Sequence, residues 1–176
     1  MAKEARISRL LTTETVRLHL EKPREWNELI VEFGEEDANL PSIKERREQI
    51  IEEMIDLLMP SGNIQHRNKL LTDLINRERK ASTALGHGIA VPHVRTKHAR
   101  DLVIGFARSD FPIDWDAPDG MPVDLFFVMV APSFDDRIYT KIWSKFASIL
   151  SVDSVREELR SASDPGEIIR ILRLEE

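Results

Sequence analysis

The first half of the chain changes from the apolar spacing of a strand to that of a helix. In residues 14–20, ETVRLHL, every second position of VRLHL is apolar, which predicts a half-buried strand. From Ser42 the apolar positions fall on one helical stripe, and Glu45 follows the Ser42 N-cap by three residues, so a helix begins there and PSGN at 60–63 ends it. A second helix is predicted over 66–79. The residues predicted to face inward are Ile43, Ile50, Ile51, Met54, Ile55, Leu58, Leu70, Leu71, Leu74 and Ile75.

Two apolar runs in the second half, LVIGFA at 102–107 and VDLFFVMV at 123–130, predict buried strands. The segment 110–122 between them is rich in Pro, Asp and Gly, so we predict a loop there, with room for a brief strand at 113–115. The earlier segment 21–41 is acidic and mixed in pattern, and its apolar residues fit neither period. We treat it as an ordered excursion whose structure the pattern does not assign.

The C-terminal part of the chain is predicted to be helical. A long helix begins at about Asp135, and two short helices follow at 154–162 and 164–173. Asp164 is a typical N-cap and Pro165 occupies the first helical position after it. Since strands and helices alternate along the chain, the packing that buries both is an α/β or α+β domain with helices flanking a sheet.

Composition narrows the class of protein. The 176 residues, 41% hydrophobic and 32% charged, suit one soluble globular domain. The chain has no cysteine, which excludes disulfides, thiolate catalysis and cysteine-ligated zinc. The longest apolar run, LFFVMVA at 125–131, is far too short to cross a bilayer, and the N-terminus has no evident secretory signal. We therefore expect a cytoplasmic protein without membrane insertion.

Charge is distributed unevenly along the chain. The net charge of −6 disfavours wide contact with nucleic acid. The segment 77–100 carries six cations and one acid, a charge of +5, which leaves −11 for the rest of the chain. This basic segment includes STALGHGIAVPHVR at 82–95, with His87 and His93 on either side of a short apolar run. The segment is either a solvated basic face or part of an anion-binding site.

Two kinds of site fit this segment poorly. The turn 86–88 begins like the nucleotide fingerprint G-x-G-x-x-G, but Val91 stands at the third glycine position and no G-K-[ST] follows. His87, His93 and His98 have five and four residues between them, which does not give His87 and His93 the spacing of two ligands on one helix face. The surrounding cations also repel a divalent ion. We expect neither a metal nor a cofactor.

A histidine nucleophile fits the segment better. A neutral imidazole has a free lone pair that can attack a phosphoryl group, provided that the other ring N–H is held by an acceptor. Pro92 fixes the backbone immediately before His93. The phosphohistidine formed is an anion that needs donors around it, although a structural histidine remains the alternative. Candidate donors are the backbone of Gly86 and Gly88, the hydroxyls of Ser82 and Thr83, and the guanidinium groups of Arg77 and Arg95.

A longer pattern carries a family resemblance. RERKASTALGHGIAVPH at 77–93 resembles the active-site signature of the enzyme IIA domains of the fructose–mannitol class of the bacterial phosphotransferase system, which includes nitrogen-regulatory enzyme IIA proteins. PIDWDAPDGMPVDLFFVMVAP at 112–132 resembles the family's segment before its last long helix. The resemblance implies a single α/β domain over 1–176, a mixed β-sheet between helical layers. Residues 21–41 are then an acidic excursion that the usual domain lacks.

The resemblance also implies roles for individual residues. His93 matches the histidine that accepts phosphate, through Nε2, and Arg77 matches the arginine that stabilises it. Tyr139 stands where many members have a second active-site histidine, and His87 stands inside the turn where an Asn is common. The catalytic set so implied is His93, Arg77, Thr83 and Tyr139, and the phosphate-binding set is Ser82, Gly86, His87 and Gly88.

The implied activity is histidine phosphotransfer. His93 would take a phosphoryl group from the carrier protein HPr, or from its nitrogen-branch counterpart, and pass it to a sugar-permease IIB domain or keep it as a regulatory mark. Tyr139 and the excursion at 21–41 motivate an alternative. In that alternative the chain is a weakened IIA-like module that regulates a partner protein by contact.

Overall fold

The computed structural model of the protein describes residues 5–134 and 136–176. None of the helices in these ranges is long and apolar enough to span a membrane. The helices are α1 (Ile7–Leu10), α2 (Glu21–Phe33), α3 (Ile43–Leu58), α4 (Arg67–Lys80), α5 (Asp136–Leu150), α6 (Asp153–Ser161) and α7 (Pro165–Glu175). The strands are β1 (Val16–Arg17), β2 (Ala84–Gly86), β3 (Ile89–Ala90), β4 (His93–Thr96), β5 (Val103–Ile113) and β6 (Val123–Pro132). Short 3₁₀ helices cover Thr13–Thr15 and Met59–Ser61.

The sheet is mixed and is covered by helices on both faces. Its order is β1-β5-β6-β3-β2, and β4 also pairs with β6. β6 runs antiparallel to β5 and parallel to β3 and β4. Alternate side chains of β6 enter two separate cores: Phe127 packs with residues of α1 and α5–α7, while Phe126 packs with residues of α2–α4. Burial on both faces explains why residues 125–131 of this strand form an uninterrupted apolar run.

Most of the predicted elements are present. Ser42 and Glu45 form the predicted capping box of α3, and Asp164 caps α7 with Pro165 at its start. The prediction of a strand over 14–20 was too long, because only Val16–Arg17 pairs with β5. The predicted loop was also wrong in part. β5 continues to Ile113, which pairs with Val123 after a register shift.

The unassigned segment 21–41 begins with helix α2. Trp26 is buried against β5 and α3, and the Arg46 guanidinium lies 5.9 Å from the centroid of the Trp26 rings. The C-terminal end of the helix is less covered: Val31 is 78% exposed and Phe33 is 51% exposed. Residues 21–33 of this segment therefore form a helix with apolar side chains on its surface.

Candidate active site

His93 opens β4, next to the long strand β6. It lies opposite Met129 of β6, whose N–H donates to the Pro92 carbonyl at 2.9 Å. The Nδ1 atom of the half-buried His93 ring lies 2.7 Å from the carbonyl oxygen of Val91. Because a carbonyl only accepts, Nδ1 carries the ring proton and the lone pair resides on Nε2. The local fold thus favours the tautomer that can react through Nε2.

Arg77, in the last turn of α4, supplies positive charge beside that lone pair. One of its terminal nitrogens lies 3.4 Å from Nε2 of His93, and the other donates to the carbonyl oxygen of Ala81 at 3.0 Å. The bond to Ala81 holds the guanidinium across the end of the helix. A group attached to Nε2 would therefore meet a cation already in place, and guanidinium groups form strong charge-assisted hydrogen bonds with phosphate oxygens.

Two aromatic side chains of helix α5 lie against another side of the imidazole. The Trp143 ring packs against the His93 ring with centroids 4.6 Å apart and planes at 80°. The Tyr139 ring, one helical turn earlier, lies 6.3 Å from the His93 centroid, and the Arg95 guanidinium lies 5.7 Å from the Tyr139 centroid. Tyr139 was named from the sequence and Trp143 was missed. Its position four residues after Tyr139, on the same helical face, was the available signal.

Burial lowers the pKa of His93 below the ordinary value of an imidazole, because the charged form loses hydration. The hydrogen bond from Nδ1 to the Val91 carbonyl acts in the opposite direction, and the positive charge of Arg77 lowers the pKa further. At neutral pH the ring is therefore neutral. As the pH falls, the unfolded chain takes up a proton at about pH 6.5, before the folded chain does, so this histidine destabilises the fold below that pH.

Replacement of Arg77 by Gln is expected to raise the pKa of His93, because it removes a positive charge beside Nε2 and admits water to the ring. The pKa is measured from the pH dependence of the imidazole proton resonances. Arg79→Gln is the matched control, since Arg79 is on the same helix and pairs with Glu48 at 2.6 Å. An unchanged His93 pKa in Arg77→Gln would contradict the proposed electrostatic contact.

Ser82 and Thr83 follow the end of α4, and both of their hydroxyl groups donate hydrogen bonds within the chain. The Thr83 hydroxyl donates to the Glu78 carboxylate at 2.6 Å, and the Ser82 hydroxyl donates to the carbonyl of Trp115. Glu78 also accepts from the indole N–H of Trp115 at 2.9 Å. Burial raises the pKa of Glu78, although these hydrogen bonds lower it. Glu78 was not named as a site residue, yet it was the single acid in the basic segment 77–100.

The turn Gly86-His87-Gly88 lies away from His93. Ile89 pairs with Leu125 of β6, whereas His93 pairs with Met129 four residues further along that strand, which corresponds to roughly 13 Å. The turn is held instead by its own neighbours. The N–H of His87 donates to Asp119 at 2.8 Å, and Arg160 donates to the His87 carbonyl at 2.8 Å. Direct phosphate binding by these three residues stays a prediction.

The five histidines do not come together in the described part of the chain. His98 is buried at the end of the β4 region, where its ring lies 5.4 Å from that of His66 and its Nε2 lies 4.0 Å from Asp73. Among residues 5–134 and 136–176, no three or more His, Asp or Glu side chains are placed to hold a metal ion. His93, Arg77 and Tyr139 are the predicted residues that the fold gathers at one place.

Comparison with known proteins gives a family match. The family model "Phosphoenolpyruvate-dependent sugar phosphotransferase system, EIIA 2" matches residues 32–174. The chain is 27% identical to the fructose-specific EIIABC component of Bacillus subtilis over 167 residues, 95% of this chain. It spans only 23% of the length of that relative. It is also 30% identical to the nitrogen regulatory protein of Pseudomonas aeruginosa over 148 residues, which are 82% of this chain and 93% of the relative.

Solved structures share the fold. The nitrogen regulatory protein IIA-Ntr of Neisseria meningitidis superposes with a TM-score of 0.76 at 28% identity, covering 94% of this chain and 98% of that one. A complex of enzyme IIAMTL with phosphorylated enzyme IIBMTL of Escherichia coli matches with a TM-score of 0.67 at 16% identity, covering 93% of this chain and 96% of that one. At this lower identity the match concerns the fold alone.

Proposed function

Because the chain belongs to the phosphotransferase system EIIA type 2 family, with nitrogen-regulatory relatives, we propose that it is a phosphocarrier that takes a phosphoryl group on His93. The family and the α/β fold expected from the sequence are confirmed. The donor we propose is an HPr-like phosphocarrier protein or its nitrogen-branch counterpart. The finer assignment below rests on the geometry at His93.

One observation supports the proposal above the others: the His93 ring is held at Nδ1 and has its lone pair on Nε2. The Nδ1 proton is committed to the Val91 carbonyl at 2.7 Å, while Nε2 faces the Arg77 guanidinium at 3.4 Å. In the proposed step the Nε2 lone pair forms the nitrogen–phosphorus bond, and the donor's bond to phosphorus breaks, with its electron pair staying on the donor. Nδ1 keeps its proton, so the ring becomes positively charged and the Val91 carbonyl stabilises that charge.

Charge near the site serves the same reaction. A loose phosphoryl transfer needs mainly positioning and electrostatic stabilisation of the equatorial oxygens. Arg77 lies within reach of a group on Nε2, and the +5 charge of segment 77–100 attracts an anionic donor. Glu78 and Thr83 support Arg77 indirectly, because their hydrogen bonds fix the chain that follows α4. Ser82 secures the same stretch through the Trp115 carbonyl.

We further propose two destinations for the phosphoryl group, a IIB domain or a regulatory protein. The complex of an E. coli IIA protein with its phosphorylated IIB partner motivates the first, and the nitrogen-regulatory relatives motivate the second. Tyr139 lies beside His93, where its hydroxyl can donate one hydrogen bond to a phosphate. A donor pathway that begins with phosphoenolpyruvate, an intracellular metabolite, fits a cytoplasmic protein.

Incubation with phosphoenolpyruvate, enzyme I and HPr tests the phosphocarrier proposal. We expect the purified protein to gain one acid-labile phosphate per chain, detected by intact-protein mass spectrometry before and after acid treatment. A parallel reaction uses the nitrogen-branch enzyme I and carrier, and the faster donor identifies the branch. A protein that stays unlabelled with both donors would refute the proposal.

A second candidate function, that of a regulatory binding module, is favoured by helix α2. Val31 is 78% exposed and Phe33 is 51% exposed, with the exposed carboxylates Glu28 three residues before Val31 and Glu32 between the two. At this end of the helix the two side chains are available for contact with a partner protein. If this surface carries the function, a partner protein binds wild type and His93→Ala equally well and is lost in a Val31→Glu, Phe33→Glu double variant. Binding that follows the phosphorylation state of His93 would contradict this candidate.

A further inference from the structure

The His93 imidazole is held by a line of packed rings that begins in the core. Phe127 of β6 packs on Phe146 of α5 with centroids 5.0 Å apart, and Phe146 packs on Trp143 at 6.0 Å. Trp143 then packs on His93 at 4.6 Å with ring planes at 80°, an edge-to-face arrangement. Phe127 and Phe146 are fully buried. The indole therefore rests on a rigid base, and its position is set by the core.

We propose that Trp143 is a positioning residue for phosphoryl transfer, which holds the His93 ring so that Nε2 stays directed at the incoming phosphorus. This inference rests on the proposed function. Hydrogen bonding at Nδ1 fixes one edge of the ring, and the Arg77 guanidinium faces Nε2 at 3.4 Å, which is longer than an ordinary hydrogen bond. A single hydrogen bond leaves the imidazole free to tilt about that contact. The edge-to-face packing of Trp143 removes the tilt, which is the freedom that would carry Nε2 off the line of attack.

The same contact keeps water away from the ring. His93 is half-buried, and loss of hydration is the main reason why its pKa lies below the ordinary value. The described charged or titratable groups that pack near the ring are Arg77 from α4 and Tyr139 from α5, with Arg95 of β4 placed over the Tyr139 ring. The indole carries no charge, so its effect on His93 is exclusion of water. Removing it exposes the imidazole and moves its pKa upward.

A merely structural Trp143 would behave differently. Its loss would lower the melting temperature through weaker packing on Phe146, while the folded molecules would keep the His93 ring, its pKa and the rate of transfer. Positioning predicts a change at His93 itself in molecules that remain folded. The two roles are therefore separated by measurements on His93 made well below the melting temperature.

The experiment compares wild type with Trp143→Phe, Trp143→Leu and Trp143→Ala. We expect Trp143→Ala to lower the maximal rate of labelling by phospho-HPr about 100-fold, as for a displaced reacting atom, with little change in the KM for phospho-HPr. The His93 pKa from proton resonances should rise towards the ordinary value of an imidazole, and the pH at which labelling is half-maximal should rise with it. Trp143→Phe keeps a ring and should restore most of the rate and the lowered pKa.

Trp143→Leu covers the case in which the alanine variant does not fold, since leucine fills space without an aromatic ring. Wild-type rates and pKa in Trp143→Leu or Trp143→Ala would overturn the inference and leave Trp143 a packing residue. Trp26→Ala is the matched control, because Trp26 is buried in the other core cluster and its loss should lower stability without changing the His93 pKa. If wild type takes no phosphate at all, the proposed function fails. The pKa comparison still reports whether Trp143 holds the ring.

Discussion

Replacing His93 by glutamine is expected to reduce labelling by phospho-HPr from one phosphate per chain to none. Glutamine keeps a polar side chain of similar reach, so the fold at the start of β4 should survive. Its amide nitrogen, however, lacks the nucleophilic lone pair that the imidazole presents at Nε2. The measurement is intact-protein mass spectrometry after incubation with enzyme I, HPr and phosphoenolpyruvate. Circular dichroism on the same sample checks that the variant is folded.

Two other histidines make this prediction discriminating. His66→Gln is the matched control, because His66 is exposed at the start of α4 and packs on His98, away from the site. It should label like wild type. His87→Gln asks a separate question, since the β6 register places the turn roughly 13 Å from His93. Full labelling of His93→Gln would place the phosphate elsewhere, while reduced labelling of His87→Gln alone would support the phosphate contact predicted for the turn.

Features that depend on neighbouring residues in the sequence were predicted well. The capping box of α3 needs only Ser42 and Glu45, three residues apart, and the first turn of α7 needs only Asp164 and Pro165. The strand over 14–20 was predicted too long for the converse reason. Strand length depends on the partner, and β5 offers only Phe106 and Ala107 in parallel register with β1.

The centre of the site was predictable from the sequence, but its boundary was not. The sequence predicts His93, Arg77 and Tyr139 as site residues, and the structure brings them together. Trp143 shares a helical face with Tyr139, but its contact with His93 joins α5 and β4, which lie far apart in sequence. The turn at 86–88 was assigned to the phosphate because glycines commonly cradle anions. Its neighbours within the chain, Asp119, Asp124 and Arg160, come from segments that the motif does not include.

Those neighbours give Gly88 a structural reason to be glycine. Its φ is +78°, and a Cβ added there would lie 2.6 Å from a terminal nitrogen of Arg160 and 2.7 Å from a carboxylate oxygen of Asp124. Arg160 cannot yield freely, because it makes two hydrogen bonds to Asp124 and donates to the His87 carbonyl. The close approach of the backbone to this ion pair is thus possible only without a side chain at Gly88. The ion pair of Arg160 with Asp124 is therefore sufficient, without a bound anion, to explain why residue 88 is glycine.

Gly88→Ala is therefore expected to destabilise the protein by about 3 kcal/mol, of which roughly 1–2 kcal/mol is the left-handed backbone and the rest is displacement of Arg160 from Asp124. For a chain of this size the melting temperature should fall by about 6–12 °C. Gly62→Ala is the control, because Gly62 has a φ of +70° and nothing within 4 Å of an added Cβ, so only the backbone contribution applies.

Adding Arg160→Ala to wild type and to Gly88→Ala isolates the contribution of the Arg160 side chain. Without the guanidinium, the alanine at position 88 meets one obstacle fewer, so Gly88→Ala should cost about 1–2 kcal/mol less than it does in wild type, a coupling typical of residues in contact. Thermal unfolding followed by circular dichroism gives all four stabilities of the cycle. Strict additivity would mean that Arg160 does not restrict Gly88. Because the turn lies away from His93, the folded Gly88→Ala protein should still accept phosphate. Loss of labelling without loss of stability would instead indicate that Gly88 contributes to phosphate binding.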